Sequence, residues 1–141
     1  MYGMSNASEV LRHFLGDQPE VVAHSHRVAA WCRDEFTRDL GLLHDVLEDS
    51  ACDEETLESL VGRDLAEAAS VLSRREGETY AQFVQRVADS GNGAAVHVKV
   101  ADLFDHLDQS ATLKPSLRRR YDRALPVLLA AHKGPLPCKF S

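Results

Sequence analysis

No apolar run in the 141-residue chain approaches the length needed to span a membrane. The first residues, M-Y-G-M-S-N-A-S-E, have neither a basic start nor a hydrophobic signal core, so nothing there directs secretion. Cysteine is scarce: Cys32, Cys52 and Cys138 are odd in number, far apart and without a C-x-x-C pair. They fit reduced intracellular thiols better than disulfides or a structural zinc site, and the expected compartment is the cytoplasm. The chain has no internal repeat, low-complexity tract, Walker lysine loop, G-x-S-x-G elbow or Rossmann glycine signature. It also lacks net basic charge. A formal charge of -6 argues against duplex nucleic acid as a partner, because a surface must supply excess Lys and Arg to displace phosphate counterions. A single nucleotide is still allowed, since a metal and a few local cations suffice to hold it.

Hydrophobic residues at 44% and charged ones at 27% are the proportions of one soluble globular domain, and the length suits one core rather than two. Apolar spacing predicts helices throughout. The first runs from Ser5 to Leu15, with Asn6 or Ser8 as cap, and the second from Pro19 to Phe36 with Val21, His24, Val28 and Trp31 facing inward. A third carries His44 and ends near Ser50. Asp53 and Thr56 open a short helix stopped at Gly62, another spans Asp64 to Arg74, and Thr79 caps one with Tyr80, Phe83, Val84 and Val87 inward. From Ala94 to Gln109 the start is ambiguous. Val96, Val98 and Val100 alternate like a strand, but Ala101, Leu103, Phe104 and Leu107 restore helical spacing, and the uninterrupted length favours a helix. The last helix spans Pro115 to His132, with Arg118, Arg119 and Arg120 on a solvated face and Pro126 expected to kink it or shift its start. The expected fold is an all-α single-domain bundle of seven to eight helices over residues 1–133, followed by a loose, patternless tail, 134–141.

The stretch from Asp39 to Ser50, D-L-G-L-L-H-D-V-L-E-D-S, concentrates the chemistry. Leu40, Leu43 and Leu47 repeat at helical spacing, and His44 shares their inward face. Asp45, Glu48 and Asp49 follow, each carboxylate within a turn of His44 or of another. Like charges at this spacing repel, and burying uncompensated carboxylates costs more still, so a cation is the simplest way to make the packing tolerable. The plainer reading is a solvated acidic helix end with a core histidine. Two further helices, however, each place a ligand-type residue among apolar neighbours: His24 in one, Asp102 in the other. Two imidazoles and two carboxylates form a mixed nitrogen and oxygen set without thiolate. It suits Mn²⁺, Fe²⁺, Co²⁺, Zn²⁺ or Mg²⁺ with positions left open for water or substrate.

In order along the chain, H-x-x-x-V-A (His24 to Ala29), H-D-V-L-E-D-S (His44 to Ser50) and V-K-V-A-D (Val98 to Asp102) resemble the motifs of the HD-domain metal-dependent phosphohydrolases. The H-D-x-x-E-D and K-x-A-D pair is similar, more narrowly, to the hydrolase domain of the RelA/SpoT proteins and to small alarmone hydrolases. The resemblance covers about Gly16 to Lys133 and implies an HD-domain helical bundle. It implies one Mn²⁺ held by His24, His44, Asp45 and Asp102, with Glu48 and Asp49 orienting and deprotonating the attacking water. It also implies a small-molecule nucleotide substrate, (p)ppGpp, from whose 3′ position pyrophosphate is cut. Lys99 would offset negative charge near the substrate or pair with a carboxylate. The chain departs from the family's K-x-A-D-R-x-x-N: Leu103 replaces the arginine, and His106 stands where a substrate-contacting asparagine would be. The basic loop that holds guanine before the first metal histidine is also absent, since G-D-Q-P-E-V-V-A contains no cation. Activity on another nucleotide, or a catalytically silent nucleotide-binding module, are therefore the alternatives.

Overall fold

The computed structural model describes residues 6–109 and 112–139, and among them nine helical segments occur and no strand. They are α1 (Asn6–Leu15), α2 (Pro19–Trp31), α3 (Glu35–Leu43), α4 (Val46–Asp49), α5 (Glu54–Val61), α6 (Arg63–Val71), α7 (Tyr80–Asp89), α8 (Gly93–Asp108) and α9 (Pro115–Ala131). Ser5, the expected start of the first helix, lies outside the described residues, as do Met1 to Met4 of the opening stretch and Phe140 and Ser141 of the tail. None of the helices is long and apolar enough to cross a membrane.

α8 is the axis of the bundle. Every residue from Ala95 to Leu103 is buried, because α2, α3, α6, α7 and α9 all pack against this one helix. That enclosure explains the strand-like alternation of Val96, Val98 and Val100: a helix covered on all sides has no polar face, so its apolar residues need not follow a single stripe. His97, Lys99, Asp102 and Asp105 are buried with them, and each therefore needs a partner.

Three helix boundaries differ from the sequence expectation, one of them the end of the helix expected from Asp64 to Arg74, which as α6 stops at Val71. The helix expected to run from Pro19 to Phe36 ends at Trp31, and α3 begins at Glu35 behind a capping box. In that box the Thr37 N–H donates to Asp34 Oδ1 at 2.8 Å and the Asp34 N–H to Thr37 Oγ1 at 3.4 Å. The helix expected to carry His44 continuously to Ser50 also breaks, at His44 and Asp45, leaving α4 as a separate turn. Its cause is local: the Gly41 carbonyl, which an uninterrupted helix would offer to the Asp45 N–H, accepts the His44 ring Nδ1–H at 2.6 Å. The break shifts the phase, so that Val46 is fully buried where Leu47 was expected to be, and Leu47 is only half-buried. α9 starts at Pro115 as expected and continues through Pro126. In the tail, Pro137 is buried and the Cys138 N–H donates to the Trp31 carbonyl at 2.8 Å.

Gly41 lets α2 and α3 approach closely. A Cβ there would lie 3.0 Å from Ala29 Cα and 3.1 Å from Ala29 N, both backbone atoms that cannot move without the helix. Gly41→Ala is expected to destabilise the fold by about 1–3 kcal/mol, the usual cost of overpacking a close contact. Urea unfolding reads this directly, and an unchanged midpoint would mean the helices separate without cost.

Candidate metal centre

Because α2, α3 and α8 pack pairwise against one another, one inward residue from each reaches a common point. His24 from α2, His44 from the turn after α3 and Asp102 from α8 each bring a ligand-type atom within 4.8 Å of the other two. His24 Nε2 lies 2.7 Å from Asp102 Oδ1, and His44 Nε2 lies 3.3 Å from the same oxygen. Asp45 is outside this group of three, but its Oδ2 is 3.3 Å from His44 Nε2. A carbonyl can only accept a hydrogen bond, so His44 must donate Nδ1–H to Gly41, and Nε2 is the nitrogen turned to the group. That atom is buried and has no hydrogen-bond partner.

The titratable groups of this cluster are coupled through short contacts. Burial pushes His24 down, but hydrogen bonds to Asp102 and Asp105 outweigh it and raise its pKa to about 9. His44 is raised in the same way, with burial opposing and the charge of Asp45 and the contact with Asp102 prevailing. Burial works against ionised Asp102 too, yet Lys99 and the surrounding imidazoles hold its pKa well below the usual carboxylate range. Lys99 Nζ is 2.7 Å from Asp102 Oδ2, and the ammonium lies 5.4 Å and 5.1 Å from the Tyr80 and Phe83 ring centres. At 8% exposure it is ion-paired with Asp102. Glu48 and Asp49 sit on α4 at the solvent side of the group, and both carboxyl pKa values are raised, by burial first and by the charge of Asp45 next. His106 is half-buried beside the group. Its Nε2 is 3.4 Å from Asp102 Oδ1, and its ring stacks at 4.5 Å on His24 and at 4.7 Å on Tyr121.

No family model and no curated protein matches the chain by sequence. Among solved structures it is similar to one described as a metazoan orthologue of SpoT that hydrolyses ppGpp and plays a role in starvation responses. The match has a TM-score of 0.74 at 20% identity and covers 95% of this chain and 89% of that one. The chain has the HD-domain fold. Within this HD bundle the donor set fits a divalent ion: an orphaned imidazole nitrogen faces a second imidazole and two carboxylates, and a cation would offset the charge of those carboxylates.

One residue that the sequence left without a role belongs to the same cluster. Asp105 is fully buried, and its Oδ2 accepts the His24 Nδ1–H at 2.8 Å. Arg27 Nε donates to both Asp105 oxygens at 3.1 Å. The signal available in the sequence was the position of Asp105 one turn beyond Asp102, which puts both on the side of α8 that meets α2. Leu103, at the position where the resembled family has arginine, is fully buried in the core.

Proposed function

We propose that this HD-fold chain is a metal-dependent (p)ppGpp 3′-pyrophosphohydrolase. The observation that carries the reading is the buried, unpartnered His44 Nε2 at the meeting point of His24, Asp45 and Asp102. Further support comes from the similarity to a protein described as hydrolysing ppGpp and from the acidic pair Glu48 and Asp49 beside the group. In this reading His24, His44, Asp45 and Asp102 hold the ion. When bound, a divalent ion such as Mn²⁺ lowers the pKa of water from about 15.7 towards neutrality and offsets charge on phosphoryl oxygens. Glu48, with Asp49, orients the attacking water and takes its proton, and the raised pKa of each brings it closer to the value a general base needs. Water adds to the phosphorus attached to the 3′ oxygen as the bond between them breaks, the ribose oxygen leaves and takes up a proton from solvent, and pyrophosphate is released. Lys99 keeps Asp102 ionised. His106, whose side chain is 32% exposed, donates a hydrogen bond to ribose or phosphate.

A second reading, a phosphohydrolase or phosphodiesterase acting on a different nucleotide, is favoured by His106 and the buried Leu103 at positions where the resembled family contacts its substrate. Product analysis separates the two. Incubation with guanosine tetraphosphate and Mn²⁺ is expected to release pyrophosphate and GDP, and a chelator should stop it. If purified, metal-loaded protein leaves guanosine tetraphosphate intact, that substrate is rejected and the second reading takes its place.

A further inference from the structure

Asp105 has no solvent exposure, yet it is not one of the three residues whose ligand atoms converge. A carboxylate so placed is costly unless every oxygen is satisfied, and the structure meets that demand from one helix. α2 supplies both partners, His24 and, three residues on, Arg27. The His24 ring is thereby clasped between two carboxylates of α8: Asp102 at 2.7 Å from Nε2 and Asp105 at 2.8 Å from Nδ1. The two carboxylates are not equivalent. Asp102 Oδ1 also faces His44 at 3.3 Å and His106 at 3.4 Å and so belongs to the ligand cluster, whereas the remaining capacity of Asp105 is taken by Arg27.

We propose that Asp105, anchored by Arg27, is a positioning residue that fixes the His24 ring with Nδ1–H donated away from the cluster and Nε2 presented to a divalent cation. This rests on the metal-dependent reading above. A ligating histidine is oriented by whatever accepts its second ring proton, and an ionised acceptor makes that bond shorter and the imidazole a better donor. The two histidines are therefore supported unequally, His44 by the neutral Gly41 carbonyl and His24 by a buried carboxylate. Arg27, with a side chain 38% exposed, prevents Asp105 from turning towards the cation and joining the ligands.

The test is calorimetric titration of the full chain with Mn²⁺ alone, beside the urea midpoint of each variant without metal. Asp105→Asn keeps the shape and removes the charge, and Mn²⁺ affinity is expected to fall about 10–100-fold. A mere clamp between α2 and α8 would lower the urea midpoint and leave the affinity unchanged, and that result overturns the proposal. Should Asp105→Asn fail to fold, Arg27→Gln leaves the carboxylate in place without its anchor. A loss of Mn²⁺ affinity in that variant supports the positioning role, and unchanged affinity removes it. Absence of Mn²⁺ binding in the unaltered protein would instead overturn the metal-dependent function, and the two failures are thus distinguishable.

Discussion

Asp102→Ala is expected to abolish Mn²⁺ binding and hydrolysis together and to destabilise the protein by about 3–5 kcal/mol, the usual cost of breaking a buried pair by removing one partner. The size of the effect follows from the position of Lys99. Its ammonium has almost no access to water and donates to Asp102 Oδ2 at 2.7 Å, so removing the carboxylate leaves a charge that neither solvent nor another anion at that distance can satisfy. His24 and His44 simultaneously lose the oxygen they share. Combining Asp102→Ala with Lys99→Met should restore most of the stability, because the stranded charge goes too, while Mn²⁺ binding stays lost. Urea unfolding and Mn²⁺ titration of the two single variants and the double one read both halves. Undiminished Mn²⁺ content in the Asp102 variant would take that residue out of the ligand set.

Glu48→Gln should have the opposite signature, keeping the metal and losing about 10²–10⁴-fold in rate, the range a positioned general base contributes. Glu48 lies on α4, one turn beyond the break at His44 and Asp45, and α4 is tied to the loop before α2 by Gln18 Nε2 donating to the Asp49 carbonyl at 3.2 Å. The substitution keeps the size of the side chain and leaves the four proposed ligands untouched. Burial, with Asp45 and Asp49 nearby, raises the Glu48 pKa above its ordinary 4.5. A base acts only when unprotonated, so kcat/KM of the unaltered protein should fall as pH drops through that raised value. This acidic limb should be missing from the slow residual activity of Glu48→Gln. A silent binding module would show no change in function, and equal turnover by the variant would assign the proton transfer elsewhere.

Much of this protein is legible in one dimension because the forces concerned act over one or two helical turns. Asp53 before Thr56, Thr79 before Gln82 and Pro115 at a first turn mark helix starts that the structure contains, each through a cap or a proline placed locally. The D-E-F-T capping box at Asp34 carried the same kind of signal. It lies inside the span expected as one helix, Pro19 to Phe36, and α2 ends before it, at Trp31. The break after His44 was not readable from spacing, because it depends on a side chain competing for a backbone carbonyl.

The sequence by itself determined the helical class and the placing of His24 and Asp102 among inward apolar rows, and it named His44, Asp45, Glu48 and Asp49 as neighbours, since helical periodicity orients side chains without reference to distant residues. Only the tertiary structure decided which of these groups meet and what each is spent on. Lys99 meets Asp102, away from solvent, only because α8 is enclosed by the other helices. Asp105 had no assigned partner until α2 and α8, joined by residues 81 apart in the chain, brought His24 Nδ1 to its carboxylate. The reason is electrostatic: a buried charge is tolerated only where opposite charge or hydrogen-bonding groups converge on it, and that convergence exists once the helices have packed.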